Sequence, residues 1–106
     1  MVYTTKIDLL GIVRGDSFEL CVEIGEAFPL AGCTLRAQVR TYAGDYRVVL
    51  DLDVDTDLQH IILSAPAAAM RIAPGLYAYD VVATTAEGQE VTLFGGKFEI
   101  VNRVTR

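Results

Sequence analysis

Alternation of apolar and polar residues with period two dominates the chain. Over residues 16–24, Phe18, Leu20, Val22 and Ile24 fall on one side, with Glu19 and Glu23 on the other. That is the pattern of a strand with one buried face. Residues 33–41 repeat it, setting Leu35, Ala37 and Val39 against Arg36, Gln38 and Arg40. Residues 48–55 set Leu50, Leu52 and Val54 against Asp51, Asp53 and Asp55. A helix would scatter each of these sets around its circumference. Weaker alternation predicts strands over 6–13 (Ile7, Leu9 and Ile12 inward, around Gly11) and over 58–64, which contains His60. Two more are predicted over 76–84, with Tyr77, Tyr79 and Val81 on one face, and over 89–101, with Phe94, Phe98 and Ile100 in the core. Within the last, Gly95-Gly96 predicts a bulge or bend.

Turn residues punctuate these runs: Arg14-Gly15-Asp16, Gly25-Glu26, Ala31-Gly32, Ala43-Gly44-Asp45, Pro74-Gly75 and Glu87-Gly88-Gln89. About seven short strands with turns roughly every 8–12 residues is the signature of a β-sandwich or barrel. The one helical candidate is Ala65–Arg71, with Ser64 as its cap and Pro66 in its first turn. At one to two turns it would carry the chain from one sheet to the other. The turn at Ala86-Glu87-Gly88-Gln89 should join the last two strands into a hairpin.

Composition narrows the class of protein. A chain of 106 residues, 52% hydrophobic and 22% charged, matches one globular domain over residues 1–106. No apolar run approaches the ~18 residues needed to cross a bilayer, so membrane insertion is not expected. The start, Met1-Val2-Tyr3-Thr4-Thr5-Lys6, has no basic region followed by an apolar core. Its pattern predicts no secretory signal and synthesis in a cytoplasm. Cys21 and Cys33 are too few for a disulfide framework and are expected to be reduced thiols. A net charge of −5, with nine scattered Lys and Arg, argues against nucleic acid and anionic membrane surfaces as partners.

Candidate chemistry is sparse. Asp51, Asp53, Asp55 and Asp57 alternate as in a calcium loop, but an EF-hand starting at Asp51 would need glycine at Thr56 and glutamate at Ile62. A solvated acidic face that discourages edge pairing explains them better. Arg14-Gly15-Asp16 spells an integrin-ligand tripeptide, yet a turn with Gly15 at an unusual φ accounts for it. His60 is the single histidine, so any triad would have to use it, and the strand pattern puts it on a polar face. Neither cysteine belongs to a CxxC pair, and Gly95-Gly96 lies within a strand instead of at a phosphate-binding turn. Tyr77 and Tyr79 read as core aromatics. No catalytic, cofactor-binding or metal residue is therefore nominated, and a non-enzymatic protein is expected.

Taken in order, several segments carry a resemblance. Ile12-Val13-Arg14-Gly15-Asp16-Ser17-Phe18 and Leu30-Ala31-Gly32-Cys33-Thr34-Leu35-Arg36-Ala37-Gln38-Val39-Arg40 are similar to the opening of small phage-encoded β-sandwich proteins. Those proteins show an "RGDTF" turn followed by a "DLTGxTVRAQVR" strand. Pro74-Gly75-Leu76-Tyr77-Ala78-Tyr79-Asp80-Val81 resembles their "PAGxYxYDV" segment. Phe94-Gly95-Gly96-Lys97-Phe98-Glu99-Ile100, closing on Val104-Thr105-Arg106, resembles their final strand and "VTR" terminus. The group is similar to the immunoglobulin-like N-terminal domain of phage baseplate upper proteins. The resemblance implies an all-β, immunoglobulin-like antiparallel sandwich of about seven strands with one short helical turn. It also implies a virion structural protein of phage or prophage, made in the bacterial host cytoplasm. Such a tail or baseplate component acts through contacts with itself, as a homo-oligomer, or with other tail proteins. The matching positions are turn glycines and strand residues, so no site residue is transferred. An alternative from a different class is a carbohydrate- or ligand-binding sandwich recognising a host surface, with Tyr3, Tyr42 and Tyr46 as its supports.

Overall fold

The computed structural model describes residues 5–25 and 28–104. Its first strands are β1 (Thr5–Lys6), β2 (Leu9–Val13), β3 (Phe18–Glu23) and β4 (Thr34–Arg40). There follow β5 (Val48–Asp57), β6 (His60–Ala65), a 3₁₀ turn at Ala67–Met70, β7 (Gly75–Thr84) and β8 (Glu90–Val101). β1 and β2 follow one another along the same side of β8, so together they make one edge, and the sandwich has seven strand positions.

Two sheets form. The larger runs from the β1/β2 edge through β8, β7 and β4 to the first half of β5. The smaller consists of the second half of β5 with β6 and β3. β5 belongs to both: Val48 and Leu50 to Leu52 pair with β4, and Asp53 to Asp57 pair with β6. The acidic row therefore straddles the switch. Asp51 pairs with Gln38 on the larger sheet, while Asp53, Asp55 and Asp57 lie on the smaller one.

The inward residues of both sheets meet in one core that includes Val39, Leu52, Ile61, Leu63, Val81, Phe94 and Phe98. Phe18 of the smaller sheet sits edge-on to Phe98 of the larger at 5.5 Å, and Tyr79 packs on Phe98 at 5.9 Å. The strand pairing is immunoglobulin-like: the second and fifth positions share one sheet, and the third, sixth and seventh share the other. At the corner before β7, the Tyr77 hydroxyl donates to the Ala73 carbonyl at 2.6 Å. This is the tyrosine corner by which such sandwiches fix the crossing between sheets. The sequence has no Trp, and Cys21 and Cys33 are free, so neither a tryptophan nor a disulfide joins the two sheets; the rings of Phe18, Phe98 and Tyr79 pack between them.

Four local expectations are corrected. The first strand, expected unbroken over 6–13, breaks at Ile7-Asp8, where the Lys97 amide donates to Asp8 Oδ1 at 2.9 Å. A side-chain bond there replaces a rung of the ladder. The bulge expected at Gly95-Gly96 lies at Leu93, since Val81 pairs with Phe94 and Val82 with Thr92. Leu93 and Phe94 are consequently both buried. Ser64 does not cap the helical turn; it pairs with Glu19 and Asp53 inside the smaller sheet, and Pro66 stands at the cap position. Leu58 belongs to the β5–β6 turn and not to the following strand.

That turn stores strain. Leu58 is 87% exposed and takes φ +56°, a left-handed conformation that two-residue hairpin loops require and that suits Asn or Gly. Leu58→Asn is expected to stabilise the protein by about 1 kcal/mol, raising the thermal midpoint by roughly 4 °C. A circular-dichroism melt with an unchanged or lower midpoint would refute this. Next to it, the Gln59 side chain ties down the preceding loop: it accepts from the Leu30 amide (3.2 Å) and donates to the Phe28 carbonyl (2.9 Å).

Tyr79 adds a pH dependence. Its hydroxyl donates to the Ile7 carbonyl at 2.7 Å. Burial, and secondarily the Asp8 carboxylate, push its pKa from 10.0 up to about 12. The unfolded chain ionises this phenol near pH 10, while the folded chain resists until about 12. Stability contributed by the neutral phenol is therefore complete below pH 10 and lost between pH 10 and 12. Urea titrations across that window should show a smaller fall for Tyr79→Phe than for the parent. Equal slopes would contradict the assignment.

Candidate functional site

The loop joining β4 to β5 folds back over the outer face of the larger sheet. Gly44, at φ +92°, allows the tight turn, and the Asp45 amide donates to the Tyr42 carbonyl at 3.1 Å. Beneath the loop is an open pocket of about 460 Å³ lined by Gln38 and Arg40 of β4, Ala43 to Tyr46 of the loop, and Ala78 to Asp80 of β7. The sheet register builds its floor, since Gln38 pairs with Asp80 and Arg40 with Ala78. Its volume lies within the roughly 300–1,000 Å³ of small-ligand sites.

A chain of hydrogen bonds fixes the polar wall. Gln38 donates to Asp51 Oδ1 (3.0 Å) and accepts from Arg40 (2.8 Å). Arg40 also donates to the Asp45 carbonyl at 2.8 Å, clamping the loop to the sheet. The Asp45 side chain is only 3% exposed, and its Oδ1 accepts from the Arg47 amide at 3.2 Å. Its other oxygen, Oδ2, is buried with no hydrogen-bond partner. A buried acceptor left unmade costs about 1–3 kcal/mol, more for a charged group, so such an atom calls for a physical explanation. In the same loop, Tyr42 is 61% and Tyr46 87% exposed, and the Arg47 guanidinium lies 6.0 Å from the Tyr46 ring centre.

Of the other residues singled out in the sequence, Asp51 meets this site through Gln38 and Tyr79 borders it, while the rest lie elsewhere. Arg14-Gly15-Asp16 is docked against the body: the Arg14 side chain donates to the Ile72 carbonyl (3.1 Å), the Gly15 amide to Met70 (2.9 Å), and Asp16 pairs with Arg103. Gly15 takes φ +86°, as a turn requires. His60 lies on the outer face of the smaller sheet, 3.4 Å from Glu23. Glu19, Cys21 and Glu23 of β3 share that face with Asp53, Asp55 and Asp57 of β5. Cys21 is exposed there, and Cys33, partly buried, donates weakly to the Pro29 carbonyl at 3.7 Å. Among the described residues, no three His, Cys, Asp or Glu side chains converge as a metal site would require, and no helix is long and apolar enough to cross a membrane. Tyr77 and Tyr79 face the core and bond backbone carbonyls. Tyr3 lies outside the described residues.

Sequence pattern marks part of this site. Tyr42 and Tyr46 stand out as exposed aromatics flanking a turn. Gln38 and Arg40 read as ordinary outward residues of a strand, and Asp45 as a turn former. What the alternation does not carry is the folding of the loop onto the sheet, which buries Asp45.

No family model and no curated protein matches the chain. Among solved structures, it is similar to a protein from Bacteroides vulgatus provisionally assigned as a glycoside hydrolase, with 14% identity and a TM-score of 0.47. That overlap covers 89% of this chain and 16% of the other. It is also similar to the extracellular domain of the voltage-gated sodium channel β4 subunit, with 12% identity, a TM-score of 0.38, and coverage of 98% and 96%. Neither likeness is close enough to carry a functional argument. The fold assignment rests on strand order, register and the tyrosine corner.

Proposed function

We propose that this chain is a non-enzymatic structural module of a phage or prophage particle, a tail or baseplate component that works through protein–protein contacts. The observation that carries the reading is where the resembling segments fall. Residues 30–40 contain β4, residues 74–81 cover most of β7, and residues 94–100 lie in β8, and these three strands are neighbours in the larger sheet. The resembling turn at Arg14-Gly15-Asp16 joins the end of the chain through the Asp16–Arg103 ion pair. The resemblance covers nearly the whole chain, and three of the segments that carry it are adjacent strands of one sheet.

Sheet edges offer the physical route to assembly, because an edge presents unpaired amides and carbonyls to an incoming strand. Among the described residues, β3 is paired on one side only, by β6. The acidic half of β5, at the opposite side of the smaller sheet, is guarded by Asp53, Asp55 and Asp57. Assembly through β3 would be a strand-pairing contact with itself or with another tail protein. Two observations test the reading. Neighbouring genes should encode tail or capsid proteins, and light scattering should give one defined oligomer. A gene set among metabolic enzymes alone would sink it.

A further inference from the structure

We infer that β3 is a dimerisation edge, pairing antiparallel with β3 of a second copy of this chain about a two-fold axis at Leu20. The inference deepens the proposed assembly role and rests on its choice of edge. Two other edges among the described residues are guarded. The β1/β2 edge breaks at Ile7-Asp8 and shifts register between Leu9 and Ile12, and the outer half of β5 carries Asp53, Asp55 and Asp57. β3 has neither a break nor a shift: its 6 residues pair with β6 in unbroken register, with no proline and no inward charge. Its inward Phe18, Leu20 and Val22 are only partly buried, whereas Ala65, Leu63 and Ile61, their direct partners in β6, are buried. An added strand would cover that apolar row.

The backbone fixes which groups are free. The Ile24 amide donates to the Gln59 carbonyl at 2.7 Å, and bonded pairs alternate along an antiparallel ladder, so Phe18, Leu20 and Val22 bond to β6. The amides and carbonyls of Glu19, Cys21 and Glu23 therefore point away from the sheet. A second β3 running the other way presents the same groups in return, which makes this edge self-complementary. Side-chain facing and charge then select the register. A slip by one residue would turn one copy's inward row to solvent, so the axis passes through a residue. With the axis at Cys21, Glu19 of each copy would face Glu23 of the other, and at Glu19 the two Glu19 side chains would meet. An axis at Val22 overlaps only Cys21 to Glu23, and axes at the strand ends overlap less. At Leu20, Phe18 faces Val22, Leu20 faces its own copy, and Glu19 faces Cys21. The apolar row is then continuous, and no like charges meet.

The test is sedimentation velocity on the full chain over a wide concentration range under reducing conditions. The parent should form a dimer. Cys21→Lys should tighten it and Cys21→Glu loosen it, each by roughly two- to thirtyfold, because residue 21 meets Glu19 of the other copy twice per dimer. Cys21 is exposed, so both variants should fold as the parent does. An axis at Cys21 predicts instead that both substitutions loosen the dimer, since residue 21 would face itself. That result, or no response to either change, overturns the register. Leu20→Cys, made together with Cys21→Ser and Cys33→Ser, gives a second readout. Diamide should join it into a covalent dimer, because facing Cα atoms of such a non-bonded pair stand about 4.5 Å apart. Cross-linking through Cys21 in a Cys33→Ser protein, with none through Leu20→Cys, would also overturn the register. A chain monomeric at every concentration overturns the dimer itself. If that monomer still travels with tail proteins in intact particles, the structural role stands through another partner, so the two failures are told apart.

Discussion

Phe98→Ala is expected to cost roughly 3–5 kcal/mol, as much as truncation of the equally buried Phe94. Phe98 is fully buried in β8 and sits between Phe18 of the opposite sheet and Tyr79 of its own. Removing the ring takes away its transfer free energy and two edge-to-face contacts. It also leaves a cavity that two hydrogen-bonded sheets cannot close. A domain of this size has about 5–15 kcal/mol in total, so the loss is a large share of its stability. Phe18→Ala, at the half-buried end of the same contact, should cost less. Denaturant titrations giving Phe98→Ala a loss below about 1.5 kcal/mol would contradict this reading of the core.

Gly95→Ala comes next, and the reason is backbone contact. A Cβ at Gly95 would stand 2.6 Å from the Tyr79 carbonyl oxygen and 2.9 Å from Asp80 Cβ. Those atoms belong to β7, which is hydrogen-bonded to β4 on its other side. They cannot retreat without disturbing the ladder that holds the larger sheet together. A loss of about 2–3 kcal/mol is expected from one added methyl. The neighbouring Gly96 is crowded equally, with Ile7 O and Asp8 Oδ1 both at 2.6 Å, but those lie on the edge formed by β1 and β2. Gly96→Ala should therefore open that edge first, speeding hydrogen exchange at the Ile7 and Lys97 amides. A Gly95→Ala protein as stable as its parent would show that the close approach is not real.

These positions also mark what the sequence made legible. The three strongest alternations, at Phe18–Ile24, Leu35–Val39 and Leu50–Val54, correspond to strands with their inward residues correctly faced. The short turn after β6 and the hairpin closed by the Thr85 amide donating to the Gln89 carbonyl were equally readable. The bulge was written in the chain but away from the glycines. Val91 and Leu93 are apolar at odd positions, Phe94, Phe98 and Ile100 at even ones, and parity changes where the extra residue sits. The break at Asp8 was not readable, because its cause is an amide 89 residues away. Glycine at 95 and 96 reflected the nearness of two other strands, which no local pattern records. The candidate site was legible as two exposed tyrosines. The buried carboxylate between them was not, since Asp45 is buried by a loop clamped through Arg40.

Assembly into a particle is the central claim, and it is tested most directly by composition. Particles induced from the organism that encodes this chain should be banded on a density gradient and their proteins quantified by mass spectrometry. The reading predicts that the chain travels with the tail proteins in a constant ratio across the particle peak. A chain found only in the soluble lysate, absent from intact particles, would contradict it.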